Sequence, residues 1–446
     1  MTFNDTYNYL LSLQNLPRKE YMNHPRHCGI YLKRLQFFLN ILGNPEKKIP
    51  RYIHVAGTSG KGSVTAFLHS ILQAAGKKVG STQSPHQTAI TERWKIGNQY
   101  MNKKEFIDLV EFIKPKLDEY IRTTPYDMLS FFEIIEAIGF IYFARHKVQW
   151  LVLETGCGGR FDSSNVIPRK DIAVITTIGL DHVGIIGDNK SEIAYEKAGI
   201  IKHGCKVFTM EGDEKIVGII EKECEKNKAK LNHVSHTTYH VSNFNLNNTQ
   251  FIYQNETFCL STIGEHQVKN AILCIEIARA LGIPENAIKT GLAKTKQPLR
   301  MEIVSKNPLI ILDGAHNPDK MGTTVATLQH FSTSAHKPIN QSTIKPINLI
   351  VGFSSDKNYL QMIKQLSTLK PKSIACTRNT VNPFRKVADP QDIARRFKKF
   401  LPKSKIQIFL DPRAALNWSK KQYKKNSGLI LATGSIFLSG ELRHRL

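Results

Sequence analysis

The sequence predicts an α/β protein of two domains, each a mostly parallel sheet flanked by helices. Three observations carry this. Short β-branched runs alternate with helical stretches through residue 210, and the same alternation resumes at 309. Between them, "KTKQPLRMEIV" (294–304) has the polar, proline-containing look of a linker.

The elements follow in order. "YLKRLQFFLNIL" (31–42) places apolar residues at helical spacing, and "RYIHVAG" (51–57) reads as a buried strand. "SVTAFLHSILQAAG" (63–76) is an amphipathic helix stopped by Gly76, and "KKVGSTQSPH" (77–86) a strand running into a Ser-Pro break. A helical pair follows at 103–121 and 126–146, the second so apolar that it is expected to be internal. Strands are expected at 150–155, 172–178 and 205–210, with a helix across 189–200. Residues 231–262 break into short strand-like pieces with Asn-rich turns, an antiparallel excursion, before helices at 266–281 and 284–292. Beyond the linker come "LIILDGAHNP" (309–318), "INLIVGF" (347–353), "SIACT" (373–377), "IQIFL" (406–410) and "LILATG" (429–434), separated by helical segments. The expected domains are 1–297 and 298–446, the second a smaller, Rossmann-like α/β unit.

Length and composition agree. A chain of 446 residues has room for two cores, and 41% hydrophobic with 22% charged residues describes a globular protein. No apolar stretch approaches the roughly 18 residues of a membrane helix, so no membrane partner is expected, and "MTFNDTYNYLLSLQNLPRKEY" lacks both a basic leader and an apolar signal core, so export is not expected. Seven scattered cysteines without a CxxC pair argue against disulfides and a cysteine zinc site, and point to the cytoplasm. Cys157 reads as a small filler in a glycine-rich loop. The net charge of +25 suits nucleic acid, anionic small substrates or simply a basic proteome. Its densest runs, "RRFKKFLPKSK" (395–405) and "SKKQYKKN" (419–426), lack the aromatic interleaving of a single-strand platform, so they read as solvated faces with no nucleic-acid partner expected.

Chemistry gathers at strand ends. "HVAGTSGKGS" (54–63) is strand, glycine turn and helix start, with Lys61 in the turn. Backbone N–H groups there suit phosphate oxygens, and Lys61 adds a point charge. Gly57, Gly60 and Gly62, with Ser63 two after the lysine, depart from the strict G-x-x-x-x-G-K-[ST] spacing while keeping the P-loop type. The loops at 57–63, 84–86, 154–160 and 181–182 all follow expected parallel strands, so they converge on one sheet edge. Ser84, Glu154 and His182 would there offer a hydroxyl, a carboxylate and an imidazole, a plausible magnesium site beside a triphosphate. In the second domain, Asp313 and His316 follow a buried strand and precede the helix-start signal Asn317-Pro318.

"GTSGKGS" resembles the ATP loop of Mur-type ligases, and the chain as a whole resembles the folylpolyglutamate synthase/dihydrofolate synthase family. The resemblance continues in order through "SPHQTAITER" (84–93), "FFEIIEAIGF" (131–140), "ETGCGGRFDSSN" (154–165), "ITTIGLDHVGIIGDNKSEIAYEKAGIIK" (175–202), "GEHQVKNA" (264–271), "LRME" (299–302) and "DGAHNP" (313–318). It implies ATP held by Gly57, Thr58, Ser59, Gly60, Lys61, Gly62, Ser63, Asn270, Arg300 and Asp313. Two magnesium ions are implied at Ser84, Glu154, His182 and Lys197, with Lys197 carbamylated. A salt bridge of Lys197 with Glu196 or Glu192 is the alternative on the residues alone. Lys61, Lys197, Asp313 and His316 are the implied catalytic set. Three departures stand out: Ser59 where the family usually has asparagine, FDSSN for LDATN, and Glu136 where threonine is common, near the expected pterin region.

The implied reaction joins L-glutamate to a pterin-bearing carboxylate, of dihydropteroate or a folate, through an acyl phosphate made with ATP. A monomer is expected, with the cleft closing about residues 297–300. The rivals are another Mur-type amino-acid ligase, disfavoured by the short stretch before the ATP loop, and a nucleic-acid NTPase, for which the second-domain motifs would have no use.

Overall fold

The alternating pattern folds into two parallel-dominated sheets. The computed structural model describes residues 1–16, 29–180, 184–234, 238–333, 346–381, 386–423 and 428–446. They form two compact units, Met1–Thr238 with Lys269–Lys294, and Tyr239–Val268 with Thr295–Leu446.

In the first unit an eight-stranded sheet runs in the order Gln99–Tyr100, Trp94–Ile96, Val79–Thr82, Trp150–Glu154, Arg51–Ala56, Ile172–Ile175, Lys206–Thr209, Lys230–His233. From Val79–Thr82 onward every neighbouring pair is parallel. The register pairs Val55 with Glu154 and Ala56 with Ile175, so the strand bearing the glycine turn lies between two of the other three motif strands. These central strands are buried almost throughout, as expected of a sheet covered on both faces. The antiparallel pair Trp94–Ile96 and Gln99–Tyr100 is only three and two residues long, too short to show a period in sequence.

Helix Phe131–Arg145 is buried nearly all round, as its composition requires. Ser130 and Glu133 form a capping box at its start. Glu133 also accepts at 2.9 Å from Nε of the fully buried Arg34, whose Nη1 reaches Asp127 at 2.9 Å. Arg34 belongs to helix Gly29–Ile41, so this ion cluster ties that helix to the core.

The second unit carries an antiparallel sheet of Tyr239–Phe244, Thr249–Tyr253 and Glu256–Leu260, the predicted excursion. Its larger sheet has the order Glu302–Lys306, Leu309–Leu312, Leu429–Thr433, Ile347–Val351, Ser373–Cys376, Lys405–Ile408, parallel except at the first strand. The sequence places a single boundary at 297/298, whereas the compact units group Tyr239–Val268 with the C-terminal part. The packing reason is that Ile263, Phe244 and Leu246 lie in one apolar cluster with Met321 and Leu328. The polar stretch read as a linker ends in the edge strand Glu302–Lys306, which pairs with Leu309–Leu312.

The basic run at 395–405 lies partly on helix Pro390–Phe400, which buries Ile393, Ala394 and Phe397 and exposes Lys398 and Lys399. Arg395 and Arg396 pair with Asp392 on that surface. The run at 419–426 extends into residues outside the described ones. Among the described residues no helix is long and apolar enough to cross a membrane, and the six described cysteines are free thiols. Cys157 packs against an apolar cluster, as a filler would.

Candidate active site

The glycine turn closes strand Arg51–Ala56 and opens helix Lys61–Ala74. Gly60 caps the helix with φ 89°, and a Cβ there would stand 2.6 Å from Asn270 Oδ1. Gly57 has φ 143°, and its Cβ would meet Thr176 Oγ1 at 1.8 Å. Neither position accepts a side chain. Thr176 explains the second contact: its hydroxyl donates to Ser59 O at 2.7 Å and holds the turn against the next strand. Thr58 is fixed on both sides, its amide donating to Thr177 O at 2.8 Å and its hydroxyl to Gly179 O at 3.0 Å. Lys61 Nζ donates to Gly57 O at 2.9 Å, across the mouth of the turn. The first amides of helix Lys61–Ala74 point out of this end without intrahelical acceptors.

Ser59 Oγ and Thr155 Oγ1 are buried and make no hydrogen bond. Orphaned hydroxyls at adjacent strand ends suit a polyoxygenated ligand.

Ser84 and Glu154 meet at the same edge. The Ser84 amide donates to Glu154 Oε2 at 3.1 Å, and the Glu154 amide donates to Thr82 Oγ1 at 3.1 Å. Glu154 is 8% exposed, so its carboxylate sits at the sheet edge rather than in solvent. A hydroxyl and a carboxylate together are hard oxygen donors of the kind magnesium takes. His182 lies outside the described residues. Among the described residues no three His, Cys, Asp or Glu side chains gather as a metal cluster.

Lys197 is 3% exposed near the end of helix Lys190–Ala198. Glu192, one of its candidate partners, is spent on capping: its carboxylate accepts from Asp188 N and Asn189 Nδ2, both at 2.7 Å. Glu196 sits higher than a free carboxylic acid because burial outweighs the attraction of Arg160 and Lys197. The carbonyls of Glu196 and Lys197 lie against Gly159, which brings the glycine-rich 156–160 loop to this helix. Asp162 shapes that loop by accepting from the amides of Gly156 at 3.0 Å and Cys157 at 2.8 Å. Asp162 also takes the hydroxyl of Ser164, which in turn bonds the buried His54 ring at 2.8 Å.

Beside this loop lies a titrating group that sequence reasoning singled out and a pair it missed. Glu136 is pushed up to about 8, by burial first and then by Asp162, with Arg93 opposing. Arg93 Nε donates to His86 Nδ1 at 3.1 Å. Burial, reinforced by Arg93, pushes His86 down to about 4. Both residues sit in or near the SPHQTAITER block, but nothing in their spacing announces the contact.

In the second unit Asp313 is 5% exposed and its carboxylate is fully engaged. Oδ2 accepts from Met301 N at 3.1 Å, and Oδ1 from Ala315 N at 3.0 Å and Thr324 Oγ1 at 2.7 Å. Asp313 therefore organises the LRME segment, where Leu299 and Met301 are held at φ 57° and 49° on either side of Arg300. Such left-handed backbone costs of order 1–3 kcal/mol per residue and persists only when its surroundings enforce it. Gly314 N adds a bond to Leu299 O at 2.8 Å. His316 Nδ1 lies 2.8 Å from Gly314 O, and its Nε2 3.0 Å from Lys320 Nζ. His266 Nδ1, Thr262 Oγ1 and both polar atoms of the Gln297 side chain are buried without hydrogen bonds. Burial first, and then the charge of Arg300, push His266 down to about 4. Thr176 and Asp162 fall inside the resemblance blocks without a role of their own, and Gln297 and Lys320 fall outside any such block, so only the folded contacts reveal what they do.

The chain is similar to known proteins over most of its length. The Mur ligase middle domain matches residues 55–278, and the Mur ligase glutamate-ligase domain residues 299–436. Dihydrofolate synthase/folylpolyglutamate synthase of Bacillus subtilis is 34% identical over 433 residues, covering 93% of this chain and 94% of that protein. Folylpolyglutamate synthase of Lacticaseibacillus casei is 30% identical over 349 residues, covering 75% and 78%. The crystal structure of folylpolyglutamate synthase from Thermotoga maritima matches with a TM-score of 0.81 at 29% identity, covering 100% of this chain and 96% of that one. The Mycobacterium tuberculosis folylpolyglutamate synthase complexed with ADP matches with a TM-score of 0.85 at 24% identity, covering 99% and 98%, a likeness of fold.

Proposed function

Since the chain belongs to the dihydrofolate synthase/folylpolyglutamate synthase family of Mur-type ligases, we propose that it uses ATP to join L-glutamate to the carboxylate of dihydropteroate, of a folate, or of both. The observation that carries this is the single sheet edge of the first unit, where the Lys61 turn, Ser84 and Glu154 end neighbouring strands.

A carboxylate and an amine do not condense in water without activation. The acceptor carboxylate attacks the γ-phosphorus of ATP, its oxygen forming the new P–O bond as ADP leaves. Lys61 and the amides of the Gly57–Ser63 turn bind the transferring phosphoryl oxygens, a catalysis of position and charge. The α-amine of glutamate then attacks the acyl carbon, the C–N bond forms, and the C–O bond to phosphate breaks. His316 takes the proton that the amine gives up. Arg300 and Asn270 hold nucleotide, with Asp313 fixing the segment that presents Arg300.

Two magnesium ions would accompany the nucleotide. Ser84 and Glu154 would hold them with His182 and a carbamylated Lys197, since a carbamate turns a donor-only cation into an oxygen ligand. When bound, magnesium neutralises triphosphate charge. The enzyme is a cytoplasmic monomer, its monomeric state checked by sedimentation.

Mass spectrometry of products tests the function. Purified protein with Mg-ATP and L-glutamate should add one glutamate mass to dihydropteroate, to tetrahydrofolate, or to both. Active-quality protein that modifies neither would overturn the substrate assignment.

A further inference from the structure

Lys320 stands in the first turn of helix Pro318–Thr333, and its ammonium Nζ is 3.0 Å from His316 Nε2. The other ring nitrogen, Nδ1, is 2.8 Å from Gly314 O. A carbonyl oxygen can only accept a hydrogen bond and an ammonium can only donate one. Together the two partners specify a neutral imidazole with its proton on Nδ1 and its lone pair on Nε2.

We propose that Lys320 is a positioning residue for His316, holding Nε2 as the proton acceptor of the ligation step. The inference rests on the reading of His316 as the group that receives the amine proton, and adds what orients it. Lys320 Nζ is chemically the same group as the α-ammonium of an amino acid. It occupies the Nε2 lone pair in the place that the substrate amine takes when it arrives.

The backbone under this pair is anchored. Lys320 N donates to Asn317 Oδ1 at 2.9 Å, and Thr324 Oγ1 lies between Lys320 O at 3.1 Å and Asp313 Oδ1 at 2.7 Å. Lys320 is thus fixed to the same carboxylate that shapes the turn bearing His316. In the step itself the amine nitrogen bonds the acyl carbon, phosphate leaves with the electron pair of the broken C–O bond, and the amine proton passes to Nε2. An imidazole with its proton on Nε2 could not take it.

The test is a long-range proton–nitrogen NMR spectrum of the full chain labelled at histidine, with His316 assigned by its absence in His316→Gln. The wild-type ring should carry its proton on Nδ1. Lys320→Met should move the population to the Nε2-protonated tautomer and lower kcat about tenfold, with KM for glutamate changed much less. Lys320→Gln, whose amide donates without charge, should restore both the tautomer and most of kcat. A wild-type ring protonated on Nε2, or a Met variant unchanged in tautomer and turnover, would overturn the proposal. So would Met and Gln variants that both raise KM and spare kcat, since that marks substrate attraction by charge. His316→Ala with full turnover would instead remove His316 as the base, and is told apart because the tautomer is read without turnover.

Discussion

Ser84 and Glu154, 70 residues apart in the chain, meet through a 3.1 Å hydrogen bond from the Ser84 amide to Glu154 Oε2. Their strands, Val79–Thr82 and Trp150–Glu154, are parallel neighbours, so the two chain directions end together. The bond holds the carboxylate at the sheet edge, on the strand next to the one that carries the glycine turn.

Glu154→Gln tests that arrangement with little change of shape. The amide oxygen can still accept from Ser84, so the fold should survive while the anionic donor is lost. Ligase turnover should fall by on the order of 100-fold, and the magnesium concentration for half-maximal rate should rise. Steady-state assays across a magnesium series, with circular dichroism as the fold control, decide it.

Gly57→Ala should damage stability as well as activity. The new methyl carbon would lie 1.8 Å from Thr176 Oγ1 at a φ of 143°. A loss of about 2 kcal/mol or more is expected from backbone strain and overpacking. Urea unfolding midpoints would show it, and Thr176→Ala should recover part of the loss by removing the clashing oxygen.

Arg34→Met should be among the most destabilising single changes in the first unit. It strips the buried Glu133 and the partly buried Asp127 of their shared cation. Breaking a buried pair from one side costs about 3–5 kcal/mol. Replacing Arg34, Asp127 and Glu133 together by apolar residues should cost less than Arg34→Met alone, because no unpaired charge is left behind.

Glu136 should give stability a pH slope. Its carboxyl is pushed up to about 8 in the fold, from an ordinary value of 4.5. Between those values the folded state holds a proton that the unfolded state has lost. The contribution is therefore complete below the ordinary value and is lost as pH rises through about 8. Glu136→Gln should gain on the wild type steadily as pH rises over this window. Parallel denaturation curves at pH values of about 5 and about 8 would count against it.

Asp313→Asn should loosen the LRME segment. Its carboxylate accepts three hydrogen bonds, and an amide nitrogen in place of either oxygen would face a donor. Faster hydrogen exchange at Met301 and Ala315, with reduced ligase rate, is the expected result. Unchanged exchange would mean that the left-handed residues Leu299 and Met301 hold without it.

The architecture and the address of the chemistry were legible in the chain before folding. Strand and helix periods are local, so the run Arg51–Ala56, the buried helix Phe131–Arg145 and the alternating second half were legible before folding. Glycines around Lys61 were legible too, because a turn that needs positive φ admits little else. The family likeness followed from ordered blocks of such residues. Specific side-chain contacts, near or far along the chain, emerged only on folding. Thr176 closing on Gly57, Asp162 bracing the 156–160 loop, Arg93 on His86 and Lys320 on His316 carry no period and no spacing rule. The grouping of Tyr239–Val268 with the C-terminal part is of the same kind, since it rests on Ile263 packing beside Met321 and Leu328. Periodicity records which face of an element is buried, and it holds no record of what that face is buried against.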